Sequence, residues 1–324
     1  MEQAAAFLKS RKKIVLSGMG ASYFACLPLQ HFLSGSGFDA ACKETAELLY
    51  FEASSVTEDT AAILVSRSGE SIEVTKLLAR FEGVGVPVLG VVNVPGSSLA
   101  LGATHCIEIR SPADQLVAIQ TYIATLAVFA MLHAAVIGEL DQARVELEQT
   151  IEVLEASIPE WVKAREEWYP FLEGNSPLYV LGRGPALAAV SEGVLLMHET
   201  AKFPAVGMSV PQFRHGPVEV VDSAFRTIII GTQPETVDLD SSLADDIIGM
   251  GGLACWLGPE RPSCKAKSLC SWPAHVPKRF APIVETIPLQ IAAYTKAEIR
   301  GLRPGDFRWA TAITSSEAGF CTTK

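Results

Sequence analysis

The sequence predicts an α/β protein built from two similar halves, each an open parallel sheet with helices on both faces. Three observations carry that expectation. Short β-branched runs alternate with helix-period stretches across turns rich in Gly and Ser. Gly18-Met-Gly20 and Gly182-Arg-Gly184, and again Glu70-Ser71 and Glu235-Thr236, recur at nearly one offset, the mark of an internal duplication. Hydrophobic residues make up 49% of the 324 positions and charged residues 19%, enough apolar material for two cores and unlike bulk disorder. The halves are expected at residues 1–160 and 161–324.

Taken in order, residues 2–12 read as a lead helix. Ile14-Val-Leu16 is a strand that breaks at Ser17-Gly-Met-Gly-Ala-Ser22 into a helix from Tyr23 to about Leu33. Phe38 to Lys43 reads as a second strand and Glu44 to Leu49 as a short helix. Ala61 to Val65 is a buried strand, followed by a turn and a helix over Glu73–Glu82. Pro87 to Val92 is a further strand, leading to Asn93-Val-Pro-Gly-Ser-Ser98, and a long helix over 115–137 closes the half. A charged helical stretch from Glu139 to about Glu167 leads on. Leu178-Tyr-Val-Leu181 then starts the layout again, with a helix over 186–203, a strand at Thr227–Ile230 and a helix over Ile283–Ile299. Residues 251–280 receive no assignment beyond an expectation that Trp256 and Trp272 pack against a sheet edge, and the tail after Gly301 reads as polar and irregular.

The stretch with most chemistry is Ser66-Arg-Ser-Gly-Glu-Ser71, where the strand turns into a helix. Such a turn aims free backbone N–H groups out of a helix N-terminus, where the macrodipole favours an anion. Ser66, Ser68 and Ser71 add hydroxyl donors and Arg67 a positive charge, so the turn reads as a phosphate cradle. It also reads as an ordinary capped helix start, with a serine as N-cap. The matching turn of the second half, Gly231-Thr-Gln-Pro234, has lost the Ser/Arg run, so one half keeps the anion site and the other supplies different groups. Those groups are a carboxylate and an imidazole. Glu192 and Glu199 lie seven residues apart on one helical face, and His215 lies in the loop Phe213-Arg-His-Gly-Pro217. A carboxylate and an imidazole move protons at neutral pH, although Glu199 also reads as a solvated helix residue and His215 as a loop-packing one.

A formal net charge of −10 argues against nucleic acid or an anionic membrane as partner, while leaving room for a small anionic substrate in a locally positive pocket. The seven cysteines are scattered, without a C-x-x-C pair, and the histidines do not cluster with them, so no metal site is expected. Reduced thiols and the lack of a signal-like N-terminus point to the cytoplasm. Ala118 to Ile137 approaches membrane-spanning length, but Gln120, Thr121, Thr125 and His133 interrupt it and its flanks are acidic, so it reads as a buried helix.

Several motifs occur together in one order: Gly20-Ala-Ser-Tyr23, Ser66–Ser71, Asn93–Ser98, Glu192 through Glu199, Phe213–Pro217 and Pro288-Leu-Gln-Ile-Ala-Ala-Tyr294. The set resembles the sugar isomerase (SIS) domain family, in the tandem arrangement of the isomerase half of glucosamine-6-phosphate synthases, over nearly the whole chain. That resemblance implies two tandem SIS domains, each a flavodoxin-like three-layer αβα fold, and a phosphorylated sugar or amino sugar as ligand. It implies that Ser66, Arg67, Ser68 and Ser71 bind the phosphate and that Ser22 lines the sugar site. Glu199 would shuttle the proton, His215 would open the sugar ring, reaching the neighbouring subunit's site in a homodimer, and Glu192 would be a further active-site glutamate. No cofactor is called for.

Two departures bear on the chemistry. Thr311 stands where such synthases carry a Schiff-base lysine, and a threonine cannot form an imine. Ala118 replaces a serine used on the sugar. The chain also opens directly on the first repeat without an N-terminal cysteine nucleophile, so no glutamine hydrolysis is expected of it. The expected activity is aldose–ketose isomerisation or amino-sugar-phosphate isomerisation or deamination, with a fructosamine-6-phosphate deglycase and a non-catalytic sugar-phosphate sensor as alternatives.

Overall fold

A computed structural model describes residues 1–259, 264–310 and 313–318. The chain divides into two units, Met1–Arg144 with the described residues from Phe307 onward, and Val145–Asp306.

The first unit runs α1 (Glu2–Lys9), β1 (Lys13–Gly18), α2 (Ala21–Gly35), β2 (Asp39–Glu44), α3 (Thr45–Glu47), β3 (Thr60–Ser66), α4 (Ile72–Gly83), β4 (Val88–Val92), α5 (Ser98–Gly102), β5 (His105–Glu108) and α6 (Gln120–Ile137). Its strands form one parallel sheet in the order β2-β1-β3-β4-β5. β3 is central and buried along its whole length, which is why it reads as an unbroken apolar run rather than an alternating one. Val15, Ala62, Leu64, Val88 and Val92 pack with Val74, Leu77, Leu78 and Phe81 of α4. The alternate residues, Leu16 and Ile63 among them, therefore face the other layer, where α2 packs on β1 and α6 on α2. The neighbouring strands β1 and β3 thus send their helices to opposite faces, the topological switch point at which open α/β sheets take ligands.

α7 (Leu140–Lys163) carries the chain onward. The second unit then contains α8 (Trp168–Leu172), β6 (Leu178–Gly182), α9 (Leu187–Ala201), β7 (Ala205–Ser209), α10 (Val210–Arg214), β8 (Arg226–Ile230), α11 (Val237–Gly249), β9 (Leu253–Gly258), β10 (Lys267–Ser271) and α12 (Ala281–Ile299). Its sheet is parallel in the order β10-β9-β8-β6-β7. Numbered within each unit, both sheets follow the order 2-1-3-4-5. Phe213, Phe225, Ile229, Leu243, Ile247 and Trp256 form the core on one face.

Several expectations need correction. Residue 160 falls inside α7, which runs on through Pro159, and the two compact units divide at Arg144/Val145. The tail belongs with the first unit because the Ile72 N–H donates to the Thr314 carbonyl at 3.1 Å, and Glu317 accepts from the Tyr50 hydroxyl at 2.5 Å and from Lys76. The unassigned region holds β9 and β10, and Trp256 is fully buried within β9 rather than lying at an edge. Trp272 instead meets Trp161 edge-on, with ring centroids 6.0 Å apart.

The apolar helix starts at Gln120 rather than 115 because Asp114 caps it. The N–H groups of Ile119, Gln120 and Thr121 donate to the Asp114 carboxylate at 3.2, 3.0 and 3.0 Å, and the Thr121 hydroxyl does the same. α6 is long and apolar enough to cross a membrane, yet 56% of its span is buried within the structure, with Tyr122, Leu126, Phe129 and Leu132 inside.

Candidate functional site

The cradle forms at the carboxyl end of β3. Ser66 is the last residue of the strand and 3% exposed. Its hydroxyl accepts the Gly69 N–H at 3.0 Å and lies 3.2 Å from the Ser71 hydroxyl. The Ser68 hydroxyl accepts the Glu70 N–H at 3.1 Å. Hydroxyls that accept backbone N–H groups keep their own hydrogens for donation, so Ser68 and one member of the Ser66/Ser71 pair remain able to donate to an anion. Ser71 is the residue before α4, but its side chain does not cap the helix. The macrodipole of this 12-residue helix points at the turn without a side-chain cap, its first N–H, that of Ile72, being taken by the Thr314 carbonyl.

A second loop holds the turn in shape. Gly69 has φ +69°, and a Cβ there would stand 2.0 Å from the Ser97 hydroxyl, so only glycine fits. The Leu99 N–H donates to the Gly69 carbonyl at 3.1 Å, and the Glu70 carboxylate accepts from the Ser98 N–H and hydroxyl at 2.6 and 2.8 Å. Those two bonds, the backbone one foremost, lower the Glu70 pKa and keep the carboxylate turned to the loop. Asn93 joins in, its N–H donating to the Arg67 carbonyl at 3.0 Å while its side chain brackets the backbone of Ser111.

Arg67 stands in the turn as expected, but its Nη1 donates to the Leu116 carbonyl at 3.1 Å, ahead of α6. Its charge is thereby committed in part to fixing that segment, next to the half-buried Ala118. Ser22 lies in the first turn of α2, at the end of β1, whose Gly18 is in register with Val65 of β3. Gly18 is required there, since a Cβ would meet the Ser22 backbone at 2.8 Å. Ser22, Ser66, Ser68 and Ser71 thus come from two adjacent strand-to-helix turns flanking the switch point of the first sheet.

In the second unit, Glu192 and Glu199 lie on α9, the first buried and the second half-buried. α9 packs tightly on α12, because Gly193 leaves room for Leu289, which a Cβ would approach to 2.7 Å. Lys202 ends the helix in a left-handed conformation, φ +49°, with its Nζ donating to the Glu199 carbonyl at 2.6 Å. His215 is exposed just after α10, with its N–H bonded to the Gln212 carbonyl at 3.1 Å and Gly216 behind it at φ +127°. Thr311 lies outside the described residues. Among the described residues no group of three or more His, Cys, Asp or Glu side chains could hold a metal ion.

The second sheet's switch point holds groups that sequence reasoning missed. Gly231 is covered by the Trp256 ring, 2.0 Å from where a Cβ would stand. The Thr232 hydroxyl donates at 2.6 Å to Glu285, a fully buried residue of α12. Burial pushes the Glu285 carboxyl up to about 7. Nearby, the Arg183 Nε donates at 2.5 Å to buried Asp240, whose pKa burial still raises despite the guanidinium. Carboxylates therefore stand at the turn that corresponds to the hydroxyl cradle of the first unit. The only sequence signal was the loss of the Ser/Arg run from 231–234.

Residues 7–137 match the SIS domain family. The chain is 29% identical over 312 residues to a glutamine–fructose-6-phosphate aminotransferase (isomerizing) of Pyrobaculum aerophilum, an alignment covering 94% of this chain and 51% of that protein. The chain thus spans about half the length of the curated relatives it matches. Its fold resembles the C-terminal domain of glucosamine-fructose-6-phosphate aminotransferase from Francisella tularensis, with a TM-score of 0.83 and 22% identity over 94% of this chain and 88% of that one. A glucosamine-6-phosphate deaminase from Thermotoga maritima is similar at a TM-score of 0.73 and 18% identity, covering 96% and 95% of the two chains.

Proposed function

We propose that this chain, which carries a SIS domain over residues 7–137, is an enzyme of phosphorylated sugar or amino-sugar metabolism that moves a proton between C1 and C2. The observation that carries the reading is the cradle: three serine hydroxyls, two of them accepting N–H bonds inside their own turn, set at the start of α4, which no side chain caps. Such a turn suits a dianionic phosphate. Holding the non-reacting end of the substrate there positions the reacting carbons.

In this proposal Ser68 and the Ser66/Ser71 pair, through its one free hydroxyl hydrogen, donate to the phosphate, Arg67 adds charge and Ser22 contacts the sugar. His215 takes the proton from O1 of the cyclic sugar as the C1–O5 bond opens, and a proton is returned to O5. The Glu199 carboxylate takes the proton from C2, and the electrons of the C–H bond form the C1–C2 double bond as the C1=O π pair moves to O1, which is protonated. The C2 hydroxyl (or amine) then gives up its proton to become the C2 double bond of the product, and the Glu199 carboxyl, its proton exchanging in part with solvent, protonates C1. Glu192 supports this chemistry. Like its proposed homodimeric state and cytoplasmic setting, these roles rest on the motif resemblance, which the family match and the cradle support.

A second reading, a sugar-phosphate sensor that has lost its chemistry, is favoured by Thr311 in place of a lysine. A Glu199→Gln variant separates the two. With fructose 6-phosphate, glucosamine 6-phosphate and fructosamine 6-phosphate in D₂O, the wild type should place deuterium at C1 or C2, and the variant should bind the phosphosugar without exchange. Binding by the wild type with no exchange and no product would select the sensor.

A further inference from the structure

Two thiols of the first unit stand on elements that pack against each other, α2 and β2. Cys26 is fully buried on α2, one turn after Ser22, and its S–H donates to the Ser22 carbonyl at 3.3 Å. Cys42 is half-buried on β2, in register with Leu16 of β1. Leu16 alternates with Val15, which packs on the α4 face, so Leu16 and its neighbour Cys42 face the opposite layer, the one α2 fills. Electrostatics agree with that placement. Burial first, then Cys42 and Cys26, raise the Tyr23 pKa, and beyond burial Cys42 raises that of Cys26. Both are free thiols.

We propose that Cys26 and Cys42 are a redox pair, closing to a reversible disulfide that ties α2, one turn after Ser22, to β2 and weakens ligand binding at Ser22. The effect on binding rests on the function proposed above, whereas the disulfide does not. The oxidant is a peroxide. Cys42, the more accessible thiol, reacts first as its thiolate: an S–O bond forms, the O–O bond breaks, and the departing hydroxide is protonated to water. Cys26 then loses its proton and attacks the Cys42 sulfur. The S–S bond forms as the S–O bond breaks, and the oxygen leaves as a second water. Two thiols have given up two electrons and one peroxide has become two waters. Cys26 is kept protonated by its burial, so it resolves an oxidised neighbour but does not initiate. Once bridged, it no longer donates to the Ser22 carbonyl, and the turn carrying Ser22 is held from β2.

The test uses the full chain. It is exposed to hydrogen peroxide, its remaining thiols are blocked with N-ethylmaleimide, and it is digested with trypsin. Cys26 and Cys42 are the two cysteines of the tryptic segment Ile14–Lys43. That peptide should emerge unalkylated and two hydrogens lighter, and should revert with dithiothreitol. A peptide alkylated at both cysteines, or carrying sulfinic acid on Cys42 without a bridge, overturns the proposal. Cys42→Ser should remain unbridged. Oxidised wild type should bind glucosamine 6-phosphate about fivefold or more weakly than reduced protein, in the range of ordinary allosteric coupling, and Cys42→Ser should be insensitive to oxidant. Equal affinity of bridged and reduced protein overturns the coupling to Ser22. A reduced chain that binds no phosphosugar, but whose peptide still bridges, overturns the functional reading and leaves the disulfide standing.

Discussion

Glu285 offers a prediction whose size follows from the structure. Its carboxyl is fully buried, receives the Thr232 hydroxyl on one oxygen, and has a pKa raised from 4.5 to about 7 by burial. Below pH 4.5 the group is protonated whether the chain is folded or not, and its contribution to stability is complete. As pH rises through 4.5 the unfolded chain releases the proton and the folded chain keeps it, so the unfolded state gains. The loss ends once pH passes about 7, and a rise from 4.5 to about 7 corresponds to roughly 3 kcal/mol. Glu285→Gln replaces the protonated acid with a neutral side chain of the same shape that still accepts from Thr232. The variant should match the wild type near pH 5 and exceed it by about 2–3 kcal/mol at pH 8. Urea unfolding at both pH values, followed by tryptophan fluorescence, is a suitable assay because Trp161, Trp168, Trp256 and Trp272 all report on the second unit. A variant-minus-wild-type difference that is equal at the two pH values would refute the assignment of a neutral Glu285 in the folded state.

Two further substitutions test the packing around the sites. Gly69→Ala must place a Cβ on the Ser97 hydroxyl and hold alanine at positive φ, so it should cost about 2 kcal/mol of stability in urea and abolish phosphate-dependent thermal shifts. Lys296 is buried on α12 with its Nζ donating to the Leu172 and Gly174 carbonyls at 2.6 and 2.8 Å and lying 3.8 Å from the Phe203 ring centroid. Lys296→Met should lower unfolding stability by about 2–4 kcal/mol, since two carbonyls lose their donor.

What the sequence displayed was whatever buries a continuous apolar run or a helical face. β3 and its turn were legible because the strand is buried on both faces and a serine run interrupts it. β5 and β7 were not: the first alternates between half-buried and exposed residues, and the second carries Gly207 in a stretch of five. β9 was hidden between Gly252 and Gly258, although its central Trp256 is fully buried. The division of the units inside α7 is set by packing rather than by its one local break signal, Pro159, through which the helix continues, and the tail's return to the first unit depends on long-range bonds from Ile72, Tyr50 and Lys76. At the site, the serines and Gly69 announced a cradle. The loop that braces it through Ser97 and Ser98, and Glu285 at the second switch point, are tertiary juxtapositions that no local spacing encodes.

The most direct test of the cradle is a thermal-shift titration of wild type and a Ser66→Ala/Ser71→Ala variant. Ligands would be glucose 6-phosphate, fructose 6-phosphate and glucosamine 6-phosphate, each beside its unphosphorylated sugar. Only phosphorylated ligands should stabilise the wild type. With the one charge-assisted hydrogen bond that the pair is free to give worth about 1.5–3 kcal/mol, the double variant should bind at least about 10-fold more weakly. Equal shifts with and without phosphate, or a variant that binds as the wild type does, would contradict a phosphate held at residues 66–71.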